Sequence, residues 1–317
     1  MRLASVLTPL SDENLTLAAQ CGVDEVVARY LGPDLTLLDG VKDRIESFGM
    51  RLGVVEGYLP IERIKLGSDD GTEMDQMKAL VRHLGDIGVP LICYNFMAGT
   101  DWIRTSVDAL ERGGAKVTAF DLDDLESARI PGRPPFRASL EPGATREQLW
   151  TNLEAFLTEI IPVAEDAGVV LAMHPDDPPL PSLLGNDRVM HCVEGFERLV
   201  GLVPSPSNAI AFCQGTFSEM GIDIPAAIRQ LGTHIAYVHF RDVTGTAESF
   251  TETWQDTGQT DMFEAMRAYR EVGFDGPIRP DHVPQLVGEG DGEPGYTMLG
   301  RLFAFGYIRG LMDATEI

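Results

Sequence analysis

Four short segments of this chain carry side chains that bind metals or move protons. They are Met173-His174-Pro175-Asp176-Asp177-Pro178-Pro179, Phe212-Cys213-Gln214-Gly215, Val238-His239-Phe240-Arg241 and Arg279-Pro280-Asp281-His282. Each follows a short apolar, β-branched run, where a strand should be ending. Imidazoles from His174 and His239, a thiolate from Cys213 and a carboxylate from Asp281 form a plausible donor set for a divalent first-row metal. Singly, each residue has an ordinary structural explanation, since a buried Cys behaves as a small hydrophobe. Four in successive units point instead to one site.

Other groups accompany these donors. Arg241 and Arg279 are cations suited to holding a carboxylate bidentately. His282, adjacent to Asp281, can exchange protons near neutral pH if Asp281 takes the metal. Tyr296, in Glu293-Pro294-Gly295-Tyr296, follows on a Gly/Pro-rich loop that can fold over the site. Its phenol fits an acid or base as well as it fits a packed loop aromatic. His83, His191 and His234 fall at helix or loop positions and read as structural.

The elements that must position these groups alternate between strand and helix, the pattern of parallel βα units. Strands are expected over 3–7, 25–28, 52–56, 91–96, 169–174, 209–213, 235–240 and 277–279. Helical periodicity falls over 12–21, 34–48, 72–87, 145–167, 224–231 and 262–272. Ser11 offers an N-cap, and Gly22, Gly49, Gly88, Gly168, Gly232 and Gly273 follow as stops. Eight units fit a closed (β/α)8 TIM barrel forming a single domain over 1–317, with its active-site face at the C-terminal strand ends. A doubly wound sheet would use fewer strands and a Gly-rich phosphate turn, and no GxGxxG follows the first strand. One segment breaks the rhythm, a long loop over 98–142 after the fourth strand, of the length that lids have. Its acidic run Asp121-Leu122-Asp123-Asp124 reads as a solvated turn.

Composition excludes several classes of function. A formal net charge of −24 argues against nucleic acid as a partner. It also denies an anionic substrate any long-range steering, so such a substrate would need local Arg groups. No apolar run approaches the ~18 residues of a membrane span, and the N-terminal apolar stretch is too short for a signal peptide. Cys21, Cys93, Cys192 and Cys213 show no paired spacing, which fits reduced thiols and a cytoplasmic location.

At these residues the chain resembles the mannonate dehydratases, members of the xylose isomerase-like TIM barrel group. The likeness runs from about 51 to 310. It is carried by Cys93-Tyr94-Asn95-Phe96-Met97, Asp101-Trp102 with Arg104-Thr105, the four strand-end segments, Pro294-Gly295-Tyr296 and Gly300-Arg301-Leu302. The resemblance implies a Mn2+-type site on His174, Cys213, His239 and Asp281, although a thiolate donor also suits Fe2+ or Zn2+. It implies proton transfer by His282 and Tyr296, with the base and the acid left unassigned. It also implies substrate contacts among Asn95, Asp101, Arg104, Arg241 and Arg279. The implied reaction removes water from D-mannonate, a small sugar acid, to give 2-keto-3-deoxy-D-gluconate.

The chain departs from the family pattern at Val283, where a Gly is usual, and over 249–256, where many members carry a His and this chain has none. The stretch Ala98-Gly99-Thr100 before Asp101 is also altered. Two other readings stay open at this level, a metal-dependent sugar isomerase or epimerase on the same barrel and a non-catalytic sugar-acid binding barrel. Self-association into a homo-oligomer is open too, because no helix carries an apolar surface that marks an interface.

Overall fold

The computed structural model describes residues 1–131, 143–290 and 292–316. Eight parallel strands close into a barrel in chain order: Arg2–Val6, Glu25–Arg29, Arg51–Glu56, Leu91–Tyr94, Val170–Met173, Asn208–Cys213, Ile235–Phe240 and Pro277–Pro280. The last strand pairs with the first through Arg2 opposite Pro277 and Leu3 opposite Ile278, which closes the ring. All eight expected strands are present, with ends shifted by a residue or two.

The period-2 geometry of a strand explains where the donors go. Ile92, Tyr94, Leu171, Met173, Ile210, Phe212, Val238 and Ile278 belong to the large core between strands and helices. Their neighbours Leu91, Cys93, Ala172, Ala211 and Tyr237 belong to a separate cluster inside the barrel. Continuing that parity carries His174, Cys213, His239 and Arg279 to the inner side at the C-terminal end.

The helices pack outside this ring. Ser11 caps Asp12–Gln20 by accepting from the Asn14 amide at 3.1 Å. Thr145 and Gln148 form a capping box at the start of Arg146–Ala167, and Gly168 ends that helix in the left-handed region at φ 66°. Gly232 departs from its expected role as a stop. Its φ is −33°, and the chain runs on into a short 3-10 turn, Gly232–His234. A Cβ there would sit 2.6 Å from Val272, so close packing explains this glycine. Helices Val193–Leu202 and Met298–Ala314 complete the outer layer beyond those read from periodicity.

The segment after the fourth strand is more regular than an open loop. Ser106–Leu110 and Lys116–Asp121 form a hairpin, and Lys116–Asp121 pairs with Ser249–Glu252, itself paired with Val243–Thr246. The result is a four-stranded antiparallel sheet over the barrel mouth, with its own core of Ile103, Phe120, Ala128, Leu180, Leu183, Val243 and Phe250. Asp121 caps the 3-10 turn Leu122–Ser127, in keeping with a turn at the acidic run. The remainder of the expected loop, 132–142, lies outside the described residues. Among the described residues, no helix is long and apolar enough to cross a membrane.

Candidate active site

His174, Cys213, His239 and Asp281 converge at the barrel mouth, each offering one donor atom within 4.8 Å of the others. Cys213, His239 and Asp281 are buried, and His174 is partly exposed. His174 Nδ1 lies 2.7 Å from the Pro175 carbonyl, which can only accept, so Nδ1 carries the proton and Nε2 keeps its lone pair. His239 Nε2 is buried without a hydrogen-bond partner among the described residues. Its Nδ1 lies 3.4 Å from Asp281 Oδ2.

The cluster sets ionised acceptors beside cationic neighbours. Against burial and Arg279, the Tyr237 and Asp281 groups hold the His239 imidazole well above its ordinary range, so a bound metal would displace that proton. Burial alone would raise the Cys213 thiol, but His174, then His239 and Arg241, hold it well below the ordinary thiol range. Burial likewise opposes ionisation of Asp281, and Arg279, His282 and His239 outweigh it. Two ionised acceptors with two imidazoles and an unpartnered ring nitrogen form a donor set that fits a divalent metal.

The cleft in front of the cluster spans about 580 Å³, counting the solvent-open space at its mouth. Asn95, Asp101, His174, His239, Arg279, Asp281, His282 and Tyr296, all expected from the sequence, share its wall. Asn95 Nδ2 donates to Asp101 Oδ1 at 3.2 Å, and Lys65 Nζ donates to Asn95 Oδ1 at 3.0 Å. The Tyr296 hydroxyl donates to Asp281 Oδ1 at 3.1 Å. Burial, then the Asp281 charge, pushes the Tyr296 phenol above its ordinary range, so it stays protonated at neutral pH. His282 is buried between Trp102, at 4.4 Å between ring centroids, and Tyr296, at 5.4 Å.

Arg104 and Arg241 lie apart from the other expected site residues. Neither lines the cavity, both are fully buried, and both are committed to carboxylates. Arg104 grips Asp177 with two bonds of 2.7 and 3.1 Å and donates to Glu252 at 2.7 Å. Arg241 donates twice to Glu252 at 2.7 Å, to Glu219 at 2.6 Å and to Thr216 at 2.9 Å. Gly215 makes room for it, since a Cβ there would stand 2.7 Å from Arg241 Cγ. Arg279 does reach the cavity wall, yet its donors are taken by Tyr237 at 2.6 Å, Asp281 at 2.7 Å and Glu56 at 3.0 Å. These arginines hold the framework of the site and leave little of themselves for a substrate carboxylate.

Several wall residues were not singled out from the sequence. Arg29 and Glu56 end the second and third strands and pair at 3.0 Å, so the strand-end argument extended to those strands would find them. Arg29 lies 5.3 Å from the Tyr296 ring and 5.9 Å from the Tyr58 ring. Trp102 and Asp177 also line the cavity. Glu252, behind His282, had no signal beyond its place in a stretch that departs from the family pattern.

Fold and donor cluster together define a (β/α)8 barrel with a cluster of four side chains able to hold a metal at its C-terminal mouth, of the xylose isomerase-like architecture. That architecture is shared with a xylose isomerase domain protein from Planctomyces limnophilus at a TM-score of 0.61 and 13% identity, over 99% of this chain and 97% of that one. A mannonate dehydratase from Streptococcus suis serotype 2 superposes with a TM-score of 0.89 at 28% identity, over 99% of this chain and 95% of that one. The family model for D-mannonate dehydratase (UxuA) matches residues 15–133 and 136–317. Mannonate dehydratases of Oceanobacillus iheyensis and Thermotoga petrophila are 32% and 34% identical, covering 88% and 87% of this chain and 85% and 84% of their own lengths. The chain belongs to the D-mannonate dehydratase family.

Proposed function

We propose that this protein removes water from D-mannonate to give 2-keto-3-deoxy-D-gluconate, using a divalent metal, Mn2+ foremost, held by His174, Cys213, His239 and Asp281. The observation that carries this reading is one cavity whose wall holds His174, His239 and Asp281 of the donor set together with the His282 imidazole and the Tyr296 phenol, with Cys213 buried behind it. When bound, a divalent cation supplies Lewis-acid stabilisation of the charge that builds on the substrate oxygens. His282 takes the proton from C2 through Nε2. The released electron pair forms the C2–C3 double bond as the C3–O bond breaks. Tyr296 gives its proton to the departing hydroxide, which leaves as water. The remaining enol becomes the 2-keto acid by tautomerisation, so substrate equals product plus one water. Asn95 and Asp101 hold substrate hydroxyls in this reading, and Trp102 packs on His282 with 4.4 Å between ring centroids. The four cysteines are free, which supports a reducing compartment such as the cytoplasm.

The test is anaerobic reloading of apo-protein with Mn2+, Fe2+ or Zn2+ and assay for 2-keto-3-deoxy acid against D-mannonate and its epimeric aldonates. D-Mannonate turnover, lost in His282→Asn with metal content unchanged, is the expected result. Turnover of a different aldonate would keep the chemistry and move the substrate. Metal-loaded protein that yields no keto-deoxy acid from any aldonate would end this reading.

A further inference from the structure

Glu252 ends the strand Ser249–Glu252 of the antiparallel sheet over the barrel mouth, and its side chain is buried behind His282. Its Oε1 lies 2.8 Å from His282 Nδ1 and accepts from Arg104 and Arg241 at 2.7 Å each. Its Oε2 accepts from Arg241 Nε at 2.7 Å. A carboxylate between two guanidinium groups is ionised and can only accept hydrogen bonds. The proton in the contact with His282 therefore sits on Nδ1. Arg104 Nη2, at 3.2 Å from the same nitrogen, has only protons to offer and cannot take that one. The imidazole is left with its lone pair on Nε2, which lies 3.8 Å from Asp281 Oδ1, beyond hydrogen-bond distance.

The backbone adds to this. His282 has a φ of 43°, in the left-handed region that a non-glycine residue occupies at a cost. The Val283 amide bonded to the Gly295 carbonyl at 2.8 Å, the Trp102 ring and Glu252 hold it there. No group of the reaction assigned above touches Glu252 except His282.

We infer that Glu252 is a positioning residue for the dehydration, fixing the Nδ1–H tautomer of His282 so that Nε2 accepts the substrate proton. The inference rests on the dehydratase reading for its catalytic consequence, while the tautomer itself is independent of it. Glu252 acts through His282 and never meets substrate. The sheet that supplies it thus reaches the reaction through one hydrogen bond.

The first experiment is 15N NMR of the histidine rings in Zn2+-loaded, diamagnetic wild-type protein, with His282 assigned by comparison with His282→Asn. Proton attachment at Nδ1 with a bare Nε2 is expected, and the opposite tautomer would overturn the inference. The second is a kinetic comparison of Glu252→Gln with Glu219→Gln. An amide at 252 sets an NH2 against either Arg241 or the His282 side, so one tautomer is no longer imposed. A fall in kcat of about 10²-fold with KM nearly unchanged is expected for Glu252→Gln. Glu219 touches Arg241 in the same cluster but not His282, and Glu219→Gln should keep kcat close to wild type. Unchanged kcat in Glu252→Gln, or equal losses in the two variants, would overturn the inference by reducing Glu252 to a member of the ion cluster. A wild type that turns over no aldonate would sink the dehydratase reading alone, and the NMR result would still decide whether Glu252 sets His282.

Discussion

Arg279 Nη1 donates to Asp281 Oδ1 at 2.7 Å, leaving Oδ2 of the same carboxylate toward His239 at 3.4 Å. The arginine beside the metal donors therefore orients one of them. Removing such an outer partner typically weakens metal binding by about 10–100-fold. Arg279→Met should show a loss of that size in metal titration, with reduced metal content after dialysis. A variant with unchanged metal affinity and a raised KM would instead return Arg279 to the role of substrate clamp.

Cys213 tests the donor set itself. Its sulfur accepts from Thr216 at 3.2 Å and lies 3.6 Å from Arg241 Nη1, both of which favour a thiolate. Serine keeps the size and loses the anion at neutral pH. Cys213→Ser should weaken metal binding beyond the roughly 10–100-fold that loss of an outer partner brings. Unchanged metal content and activity would exclude Cys213 as a ligand.

The strands and donors were legible in the sequence for one shared reason. Barrel strands are buried on both faces, so they read as apolar runs, and period 2 carries His174, Cys213 and His239 inward past the last apolar residue. The helices Val193–Leu202 and Met298–Ala314 lacked that clarity. Neither Cys192 nor Thr297 makes a side-chain cap, and Gly300, Gly306 and Gly310 interrupt the second helix. The commitment of Arg104 to carboxylates left no local sign because its partners are remote: Arg104 and Glu252 lie 148 positions apart. Only pairing of Lys116–Asp121 with Ser249–Glu252 brings those groups together, and that pairing leaves no local mark.

Phe250 tests whether the antiparallel sheet supports the site. It packs 5.9 Å from Phe120, ring to ring, and Arg104 and Arg241 lie 4.8 and 5.6 Å from its ring centroid. Truncating a buried Phe costs about 3–5 kcal/mol, and here the void would open beneath two paired guanidinium groups. Phe250→Ala should lose stability in that range by urea unfolding and should lower kcat. A loss under about 1 kcal/mol would mean that the sheet moves independently of the ion cluster.

Acid stability should carry the signature of Glu252. Burial opposes its ionisation, but Arg241, His282 and Arg104 outweigh burial and bring its pKa down from 4.5 to about 2. The native state therefore binds fewer protons than the unfolded chain between those values, so this contribution grows with pH across the window. It is complete above about pH 4.5 and is lost as pH falls through about 2, with a ceiling of roughly 3 kcal/mol. Other carboxylates titrate in the same range, so the informative quantity is the stability difference between wild type and Glu252→Gln. That difference should shrink steadily as pH falls from about 4.5 toward 2. A difference that stays flat across the acid range would show that the Glu252 carboxylate gains nothing from its two arginines, and the ion cluster would then owe its order to packing on Phe250.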